Sequence, residues 1–256
     1  MLIRDLMAAK KRVLHFTLID PDKQPPEELL NRVETFRRYG TDAIMVGGSS
    51  SFSQALLDRT VKAIKKAADL PVILFPNSAA TISRHADYIF FMSLLNADDP
   101  RVLIREQASV APAIERYGLR PISMAYIVVS MSRRPTAIER RVPLDVIGRE
   151  DSRKAVGYAL AAQYLGMSCV YLEAGSGADN PMPLRLIRAV RDKISVPLIV
   201  GGGIRRAEQA GRIARAGADV IVTGTIVERD IAKLEGIIKA LKKETFKRLN
   251  VRTFER

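Results

Sequence analysis

The fold is easiest to infer between residues 197 and 225, which read PLIVGGGIRRAEQAGRIARAGADVIVTGT. A short apolar run, Leu198–Val200, leads through three glycines into an amphipathic stretch, Arg205–Ala216, and then into a second apolar run, Val220–Val222. Apolar runs are typical of parallel strands, because both faces of such strands are covered. An amphipathic stretch between them predicts a helix. The segment therefore predicts one βαβ unit with parallel strands.

The same alternation extends over the whole chain and predicts eight strands. The other six are expected at Val13–Ile19, Ala43–Val46, Val72–Phe75, Tyr88–Met92, Ile122–Val129 and Cys169–Leu172. Further helical patterns occupy Glu27–Tyr39, Gln54–Ala68, Ser152–Leu165 and Val227–Lys243. Eight such units fill about 250 residues in a (β/α)8 barrel. We therefore expect the 256 residues to form a single TIM-barrel domain, with a doubly wound open sheet as the alternative.

Two connections depart from the regular pattern. Residues Pro76–Ala86 are too few for a full outer helix, so the third helix is expected to be short or missing. The segment Ser130–Ile147, after the fifth strand, is long, basic and irregular. Long loops at the carboxyl ends of barrel strands commonly face the substrate, so this loop is expected near the active site.

Two helix exits share one form, Gly-x-Asp. Gly40 and Gly217 can each end a helix in the left-handed conformation. Asp42 and Asp219 then lead directly into apolar strands. This weak internal repetition is what a barrel of equivalent units predicts.

Composition restricts the class of protein. The chain carries a net charge of +13 and is 47% hydrophobic. It shows no apolar run of the ~18 residues that a membrane span needs and no signal-peptide pattern. Its single cysteine, Cys169, lies in an apolar stretch and is expected to be a buried core residue. These features predict a cytoplasmic protein.

The excess of basic residues can attract anionic molecules. The chain has no tryptophan and only 6% aromatic residues, so it has little material for stacking nucleic-acid bases. No helix-turn-helix or zinc-finger spacing occurs either. We therefore expect no nucleic-acid partner. A solvated basic surface is the simplest interpretation, and peripheral contact with a membrane or attraction of anionic substrates is the next.

Glycine turns after the last two strands indicate a phosphate site. Gly202 and Gly203 follow the seventh strand, and Gly224 and Thr225 follow the eighth. In many barrels, turns at these two places bind phosphate through backbone N–H groups at helix N-termini. The alternative is that the glycines serve helix–strand packing alone. Arg205, assigned here to the following helix, is expected to be a solvent-screened charge at the rim.

Polar residues follow three other strands. Glu173 ends the sixth strand and is followed by Gly175-Ser176-Gly177. Asp20 and Asp22 flank a proline after the first strand, where two carboxylates could hold a hard cation. Gly47-Gly48-Ser49 follows the second strand. For the last two segments an ordinary strand-to-helix turn is the alternative. The two histidines, His15 and His85, are expected to be structural.

Taken together, these segments resemble the geranylgeranylglyceryl phosphate synthase family from the first strand to the eighth. Members are barrels with a stunted third helix that transfer a prenyl group from an isoprenoid diphosphate to sn-glycerol 1-phosphate. The product carries the first ether bond of archaeal membrane lipids. The resemblance implies Mg2+ at Asp20 and Ser49. It implies glycerol 1-phosphate at Tyr171, Leu172, Glu173, Ala174, Gly175, Ser176, Gly177, Gly202, Gly203, Gly224 and Thr225.

One position separates two branches of that family. Some members carry a lysine two residues before the first aspartate, and this chain has Leu18 there. The Ala174-Gly175-Ser176-Gly177 sequence fits the branch without the lysine. The resemblance implies phospholipid biosynthesis in a homo-oligomer, either a dimer or a hexamer.

Chemistry suggests roles for these residues. Glu173 can take the proton of the attacking hydroxyl as general base, while Mg2+ assists departure of the diphosphate. The resemblance implies geranylgeranyl diphosphate as the donor, with a heptaprenyl donor as the alternative. Phe75, Phe91, Tyr126 and Ile127 are candidates for the prenyl groove.

Two rival functions stay open. A sugar-phosphate isomerase of histidine biosynthesis would use a second acid after the fifth strand, where this chain has Ser130-Met131-Ser132. A non-catalytic phosphate or nucleic-acid binder would leave Asp20 and Glu173 without a purpose.

Overall fold

The computed structural model describes residues 2–48, 52–76 and 82–254. Its described strands are β1 (Leu14–Ile19), β2 (Ala43–Gly47), β3 (Val72–Phe75), β4 (Tyr88–Leu94), β5 (Arg120–Ser130), β6 (Ile147–Gly148), β7 (Cys169–Glu173), β8 (Leu198–Gly201) and β9 (Val220–Thr223). Its described helices are α1 (Leu2–Lys10), α2 (Pro26–Tyr39), α3 (Gln54–Ala67), α4 (Glu106–Tyr117, preceded by a π-helical turn at Arg101–Arg105), α5 (Ala137–Arg141), α6 (Ser152–Tyr164), α7 (Leu184–Arg191), α8 (Ala207–Ala216), α9 (Thr225–Arg229) and α10 (Ile231–Phe254). Within those residues, no helix is both long and apolar enough to cross a membrane.

Eight of the strands close into a parallel barrel. Each of β1 to β5 pairs with the next strand, β5 pairs with β7, and β7, β8 and β9 follow in order. The barrel closes where β9 pairs with β1, in a register that sets Phe16 beside Val222. The two-residue strand β6 pairs with the end of β5, outside the barrel. The TIM-barrel prediction is confirmed, and closure excludes the open sheet.

Side chains of the strands divide into two apolar layers. One cluster fills the barrel interior and includes Phe16, Met45 and Tyr171. The other joins the outer strand faces to the helices and includes Val46 and Leu172. Successive strand residues point to opposite faces, so neighbours such as Tyr171 and Leu172 belong to different layers. This alternation determines which residues can reach a site inside the barrel.

Helix α1 is an element that the sequence analysis did not predict. Leu2 and Ile3 are buried and pack into the interior cluster, with Leu6 and Met7 partly buried against it. The helix therefore covers the barrel at the amino ends of the strands, opposite the face where the active site was predicted.

Three aspartates tie neighbouring strands together at their amino ends. Each lies just before a strand and accepts a hydrogen bond from an amide at or near the start of the adjacent strand. The pairs are His15 with Asp42, Val72 with Asp87, and Leu198 with Asp219, each at 2.9 Å. Each carboxylate also pairs with a basic side chain, from Arg12, Lys65 and Arg191 respectively. The repeated aspartate therefore joins each of these strands to its neighbour.

The structure tests two of the helix predictions. Residues 76 and 82–87, the described part of the connection between β3 and β4, contain no helix, whereas 77–81 lie outside the described residues. The single helix predicted at Val227–Lys243 is wrong, because α9 and α10 are separated by Asp230. The Asp230 backbone is not helical, at φ −157° and ψ 86°. The pKa of Asp230 is lowered by Lys233 and by backbone N–H groups of Ala232 and Lys233, so the carboxylate caps α10.

Candidate active site

A cavity of about 540 Å³ opens at the carboxyl ends of the barrel strands. One part, here called the glycine wing, is lined by Gly177, Gly202, Gly203, Gly224 and Thr225. The other part, the apolar wing, is lined by Phe75, Phe91, Met92, Val102, Val110 and Ile138. The glycine wing follows β7, β8 and β9, and the apolar wing is formed by β3, β4, the π-helical turn, α4 and α5. The predicted basic loop after β5 does face this cavity, through Ala137, Ile138 and Arg141.

Glu173 lies between the two wings. It ends β7, and its side chain is buried at 7% exposure. Burial raises the pKa of this carboxyl, while hydrogen bonds from the Gly175 amide and from the hydroxyls of Tyr171 and Tyr126 lower it. The Gly175 amide donates at 2.6 Å. The result is a carboxylate that remains available in an apolar cavity but holds a proton more readily than an exposed one.

The two tyrosines belong to an aromatic group beneath the cavity. Tyr126 and Tyr171 stand beside each other on β5 and β7, with ring centroids 5.4 Å apart in an edge-to-face arrangement. Phe75 packs against both, at 5.6 Å and 5.9 Å. Burial raises the pKa of both tyrosines well above the ordinary value, so their hydroxyls stay protonated and can donate.

Tyr126 has a role that the sequence analysis missed. It was predicted to line the prenyl groove and does line the cavity, but its hydroxyl also donates to Glu173. Strand alternation alone could not find this contact, because it depends on the register that pairs Tyr126 with Tyr171 and puts both on the interior face. Ile127, the next residue, is fully buried in the helix-facing layer. Its proposed place in the prenyl groove is wrong, whereas Phe75 and Phe91 line the cavity.

The glycine wing uses backbone conformations that favour glycine. Gly202 and Gly203 have φ of +85° and +68°, a region that costs side-chain-bearing residues energy. Space is restricted as well. A Cβ on Gly202 would stand 2.5 Å from Oε1 of Glu173, and one on Gly203 would stand 2.4 Å from the carbonyl oxygen of Asn180. These glycines therefore allow the loops after β7 and β8 to approach each other.

Arg205 differs from its predicted role. It precedes α8, which begins at Ala207, and its guanidinium donates to the carbonyls of Gly177, Ala178 and Asp179 at 3.2, 2.6 and 3.1 Å. The side chain is thus a clamp on the loop after β7 and not a solvent-screened charge. The backbone amide of Arg205 donates to the side-chain oxygen of Gln209.

Most of the predicted site residues meet in this cavity. Those that line it are Asp20, Tyr171, Glu173, Gly175, Ser176, Gly177, Gly202, Gly203, Gly224 and Thr225. Leu172 and Ala174 do not line it, because their side chains are buried in the helix-facing layer. The Ala174 amide is engaged as well, because it donates to the Gly201 carbonyl at 3.1 Å. Ser49 lies outside the described residues.

Asp20 lies at the cavity wall with its side chain 3% exposed. Its Oδ1 accepts from the Asp22 amide at 3.3 Å, and its Oδ2 lies 3.0 Å from Nζ of Lys23. A Cβ on Gly48 would stand 2.3 Å from Oδ2, so glycine keeps that space open. Asp22 is exposed and does not line the cavity. The predicted pair of carboxylates at this turn is therefore reduced to Asp20.

Both histidines were expected to be structural. His15 is buried, with its ring nitrogens 2.6 Å from Oγ1 of Thr41 and 3.0 Å from Oγ1 of Thr223. Burial, helped by the charge of Arg12, lowers its pKa to about 3. His15 therefore stays neutral and cross-links β1 to β9, consistent with the expectation. His85 is partly buried and does not line the cavity.

Comparison with known proteins gives the chain clear relatives. The sequence pattern of the PcrB family matches residues 6–245. Geranylgeranylglyceryl phosphate synthase of Thermococcus gammatolerans is 51% identical over 234 residues, which is 91% of this chain and 90% of that protein. The enzyme of the same name from Pyrococcus abyssi is 48% identical over 244 residues, 93% of this chain and 95% of that protein.

A solved structure is similar as well. It is (S)-3-O-geranylgeranylglyceryl phosphate synthase from Thermoplasma acidophilum in complex with its substrate sn-glycerol-1-phosphate. The TM-score is 0.90 at 40% identity, covering 95% of this chain and 99% of that one.

Proposed function

Because the chain belongs to the PcrB family, we propose that it is a geranylgeranylglyceryl phosphate synthase. This prenyltransferase joins the geranylgeranyl group of geranylgeranyl diphosphate to the free hydroxyl of sn-glycerol 1-phosphate, which forms the first ether bond of archaeal membrane lipids. The observation that carries the proposal is the position of Glu173, a buried carboxylate between a wing suited to phosphate and a wing suited to hydrocarbon.

The glycine wing is the proposed site of glycerol 1-phosphate. Backbone N–H groups around Gly203, Gly224 and Thr225 can bind the phosphate without a cationic side chain. The amides of Arg205 and Arg206 are not available for this, because both donate to Oε1 of Gln209. A phosphate held at the rim lets the glycerol hydroxyl extend towards Glu173.

Glu173 is the proposed general base. The reaction forms a C–O ether bond, breaks the bond between the allylic carbon and the diphosphate, and releases the hydroxyl proton. A carboxylate whose pKa is raised by burial accepts that proton more readily than one exposed to water. The Gly175 amide and the two tyrosine hydroxyls hold the carboxylate in place while it does so.

The apolar wing is the proposed site of the prenyl chain. Its side chains, from Phe75 to Ile138, can cover hydrocarbon and exclude water from the reacting carbon. A geranylgeranyl donor is supported by the names of the similar proteins. A heptaprenyl donor is the alternative.

The residues near Asp20 fit Mg2+. Mg2+ commonly binds one or two carboxylates together with substrate phosphates and water, and the space that Gly48 leaves beside Asp20 suits such an ion. Within the described residues no cluster of three His, Cys, Asp or Glu side chains offers a fuller site. Asp20 would hold the ion, with Ser49 as the second proposed ligand. When bound, Mg2+ supplies a Lewis acid for the leaving diphosphate.

The activity can be tested with purified protein. Radiolabelled sn-glycerol 1-phosphate is incubated with Mg2+ and prenyl diphosphates of several lengths, and lipid-soluble label is measured. We expect label transfer with geranylgeranyl diphosphate at the highest kcat/KM. Transfer best with heptaprenyl diphosphate would select the alternative donor. No transfer with any donor would leave the sugar-phosphate isomerase and the non-catalytic binder as candidates.

We also propose a cytoplasmic homo-oligomer, either a dimer or a hexamer. Support comes from two adjacent apolar side chains at the end of α6, Tyr164 and Leu165, which are 79% and 69% exposed. Exposed apolar patches commonly mark contacts between subunits. Light scattering after size exclusion gives the mass, and Tyr164→Ser with Leu165→Ser should lower it if the patch is an interface.

A further inference from the structure

Lys23 lies in the turn after β1, where it faces two acids across the cavity mouth. Its Nζ is 3.0 Å from Oδ2 of Asp20 and 3.6 Å from Oε1 of Glu228. The turn is closed by a hydrogen bond from the Lys23 amide to the Asp20 carbonyl at 3.1 Å. Lys23 is 39% exposed and Asp20 is 3% exposed. The ammonium therefore covers the carboxylate from the solvent side and lines the same cavity.

Mg2+ and the Lys23 ammonium would compete for one oxygen. Mg2+ binds carboxylate oxygens at about 2.1 Å, and the space that Gly48 keeps open adjoins Oδ2, the same oxygen that Lys23 contacts. Two cations against that oxygen would repel each other, so binding of the ion would displace the ammonium. Glu228, 18% exposed on α9, offers a second contact that keeps the lysine at the cavity mouth.

We propose that Lys23 is an exchangeable counter-ion that transfers from Asp20 to the diphosphate of the prenyl donor when the metal binds. This inference rests on the proposed function and extends it to a residue with no role in it so far. A diphosphate carries more negative charge than one divalent cation neutralises. The displaced ammonium has three donors and can bind the oxygens that receive the electron pair when the allylic C–O bond breaks.

The first test measures two affinities that should change in opposite directions in Lys23→Met. Calorimetry with Mg2+ alone should give binding about three- to tenfold tighter than in wild type, because the competitor is gone. With Mg2+ saturating, inorganic pyrophosphate should bind about 10- to 100-fold more weakly, because a charge-assisted contact is lost. Lys239→Met removes the same charge from an exposed pair with Glu235 on α10 and should change neither affinity.

A second test, without metal, measures how Lys23 affects pyrophosphate binding once its contact with Asp20 is removed. In Asp20→Asn the ammonium has lost its buried partner, so pyrophosphate without Mg2+ should bind more tightly than in wild type. The double variant, with Lys23→Met added, should lose that gain. Binding of sn-glycerol 1-phosphate should match wild type in every variant, which also shows that each one folds.

The inference is overturned if Lys23→Met weakens Mg2+ and pyrophosphate binding together, or leaves both unchanged. It is also overturned if the double variant binds pyrophosphate as tightly as Asp20→Asn. Failure of the proposed function has a different signature, since wild-type protein would then bind neither pyrophosphate with Mg2+ nor glycerol 1-phosphate.

Discussion

At the scale of single residues, the Glu173 carboxylate is buried and accepts hydrogen bonds from three donors. Glu173→Gln removes the proposed base but keeps the shape of the side chain. We expect turnover to fall by about 10²–10⁴-fold, with binding of sn-glycerol 1-phosphate retained. Single-turnover kinetics and calorimetry measure the two effects separately. A variant with near wild-type kcat would show that Glu173 is not the base.

The Tyr126 hydroxyl is expected to lower the pKa of Glu173, the proposed base. The pKa of Glu173 is raised by burial and pulled back in part by the Tyr126 hydroxyl. Tyr126→Phe removes a donor to the ionised form, so the pKa of Glu173 should rise further. The base must be ionised to act, and the acid limb of the kcat/KM profile should therefore move to higher pH. An acid limb that stays in place, or moves to lower pH, would contradict the role given to Tyr126.

His15 predicts how stability depends on pH. Its pKa is about 3 in the folded chain against 6.5 for an ordinary histidine. Between those values the unfolded chain binds a proton that the folded chain does not, so folding stability from this residue is lost as pH falls from 6.5 towards 3. His15→Gln should give a shallower fall in the denaturation midpoint over that range. Parallel slopes for the two proteins would refute the assignment.

At the scale of elements, the loops after β7 and β8 act as one unit. Gly203 packs against the carbonyl of Asn180, and Arg205 binds three carbonyls of the same loop. Gly203→Val adds bulk where the Cβ would stand 2.4 Å from a backbone oxygen, at positive φ. We expect it to raise the KM for sn-glycerol 1-phosphate strongly. Arg205→Ala removes the clamp but no proposed phosphate donor, so a smaller rise is expected.

Steady-state kinetics on both variants, with folding checked by circular dichroism, decides this ranking. If Arg205→Ala has the larger effect in a folded protein, a cationic side chain holds the phosphate and the backbone anchor is wrong.

At the scale of the whole molecule, the barrel has one end that is closed by packing and one that is open for binding. Ile3 on α1 is 1% exposed and packs into the interior layer at the closed end. Ile3→Ala should lower the free energy of unfolding by about 2–5 kcal/mol and leave kcat almost unchanged at a permissive temperature. Arg4→Ala, at an exposed position of the same helix, is the control and should do neither. A large loss of kcat in Ile3→Ala would show that packing at the closed end affects catalysis at the open end.

The sequence alone determined the barrel and the position of most site residues. All eight predicted strands are present, because a strand buried on both faces leaves a continuous apolar run that is a local signal. Glu173 and the glycine turns could be found for a related reason, since residues at the carboxyl ends of barrel strands converge whatever the intervening helices contain.

Tertiary structure decided the contacts that join distant segments. The hydrogen bond from Tyr126 to Glu173, the ion pair between Lys23 and Glu228 and the clamp formed by Arg205 each join residues from different strand-to-helix units. Helix α1 was likewise identified from its packing, since its buried side chains cover the barrel interior. No local pattern records such contacts, because each depends on strand register and on where separate loops meet in space. The sequence therefore determines most of the residues that reach the cavity, and the closed barrel determines what each of them touches.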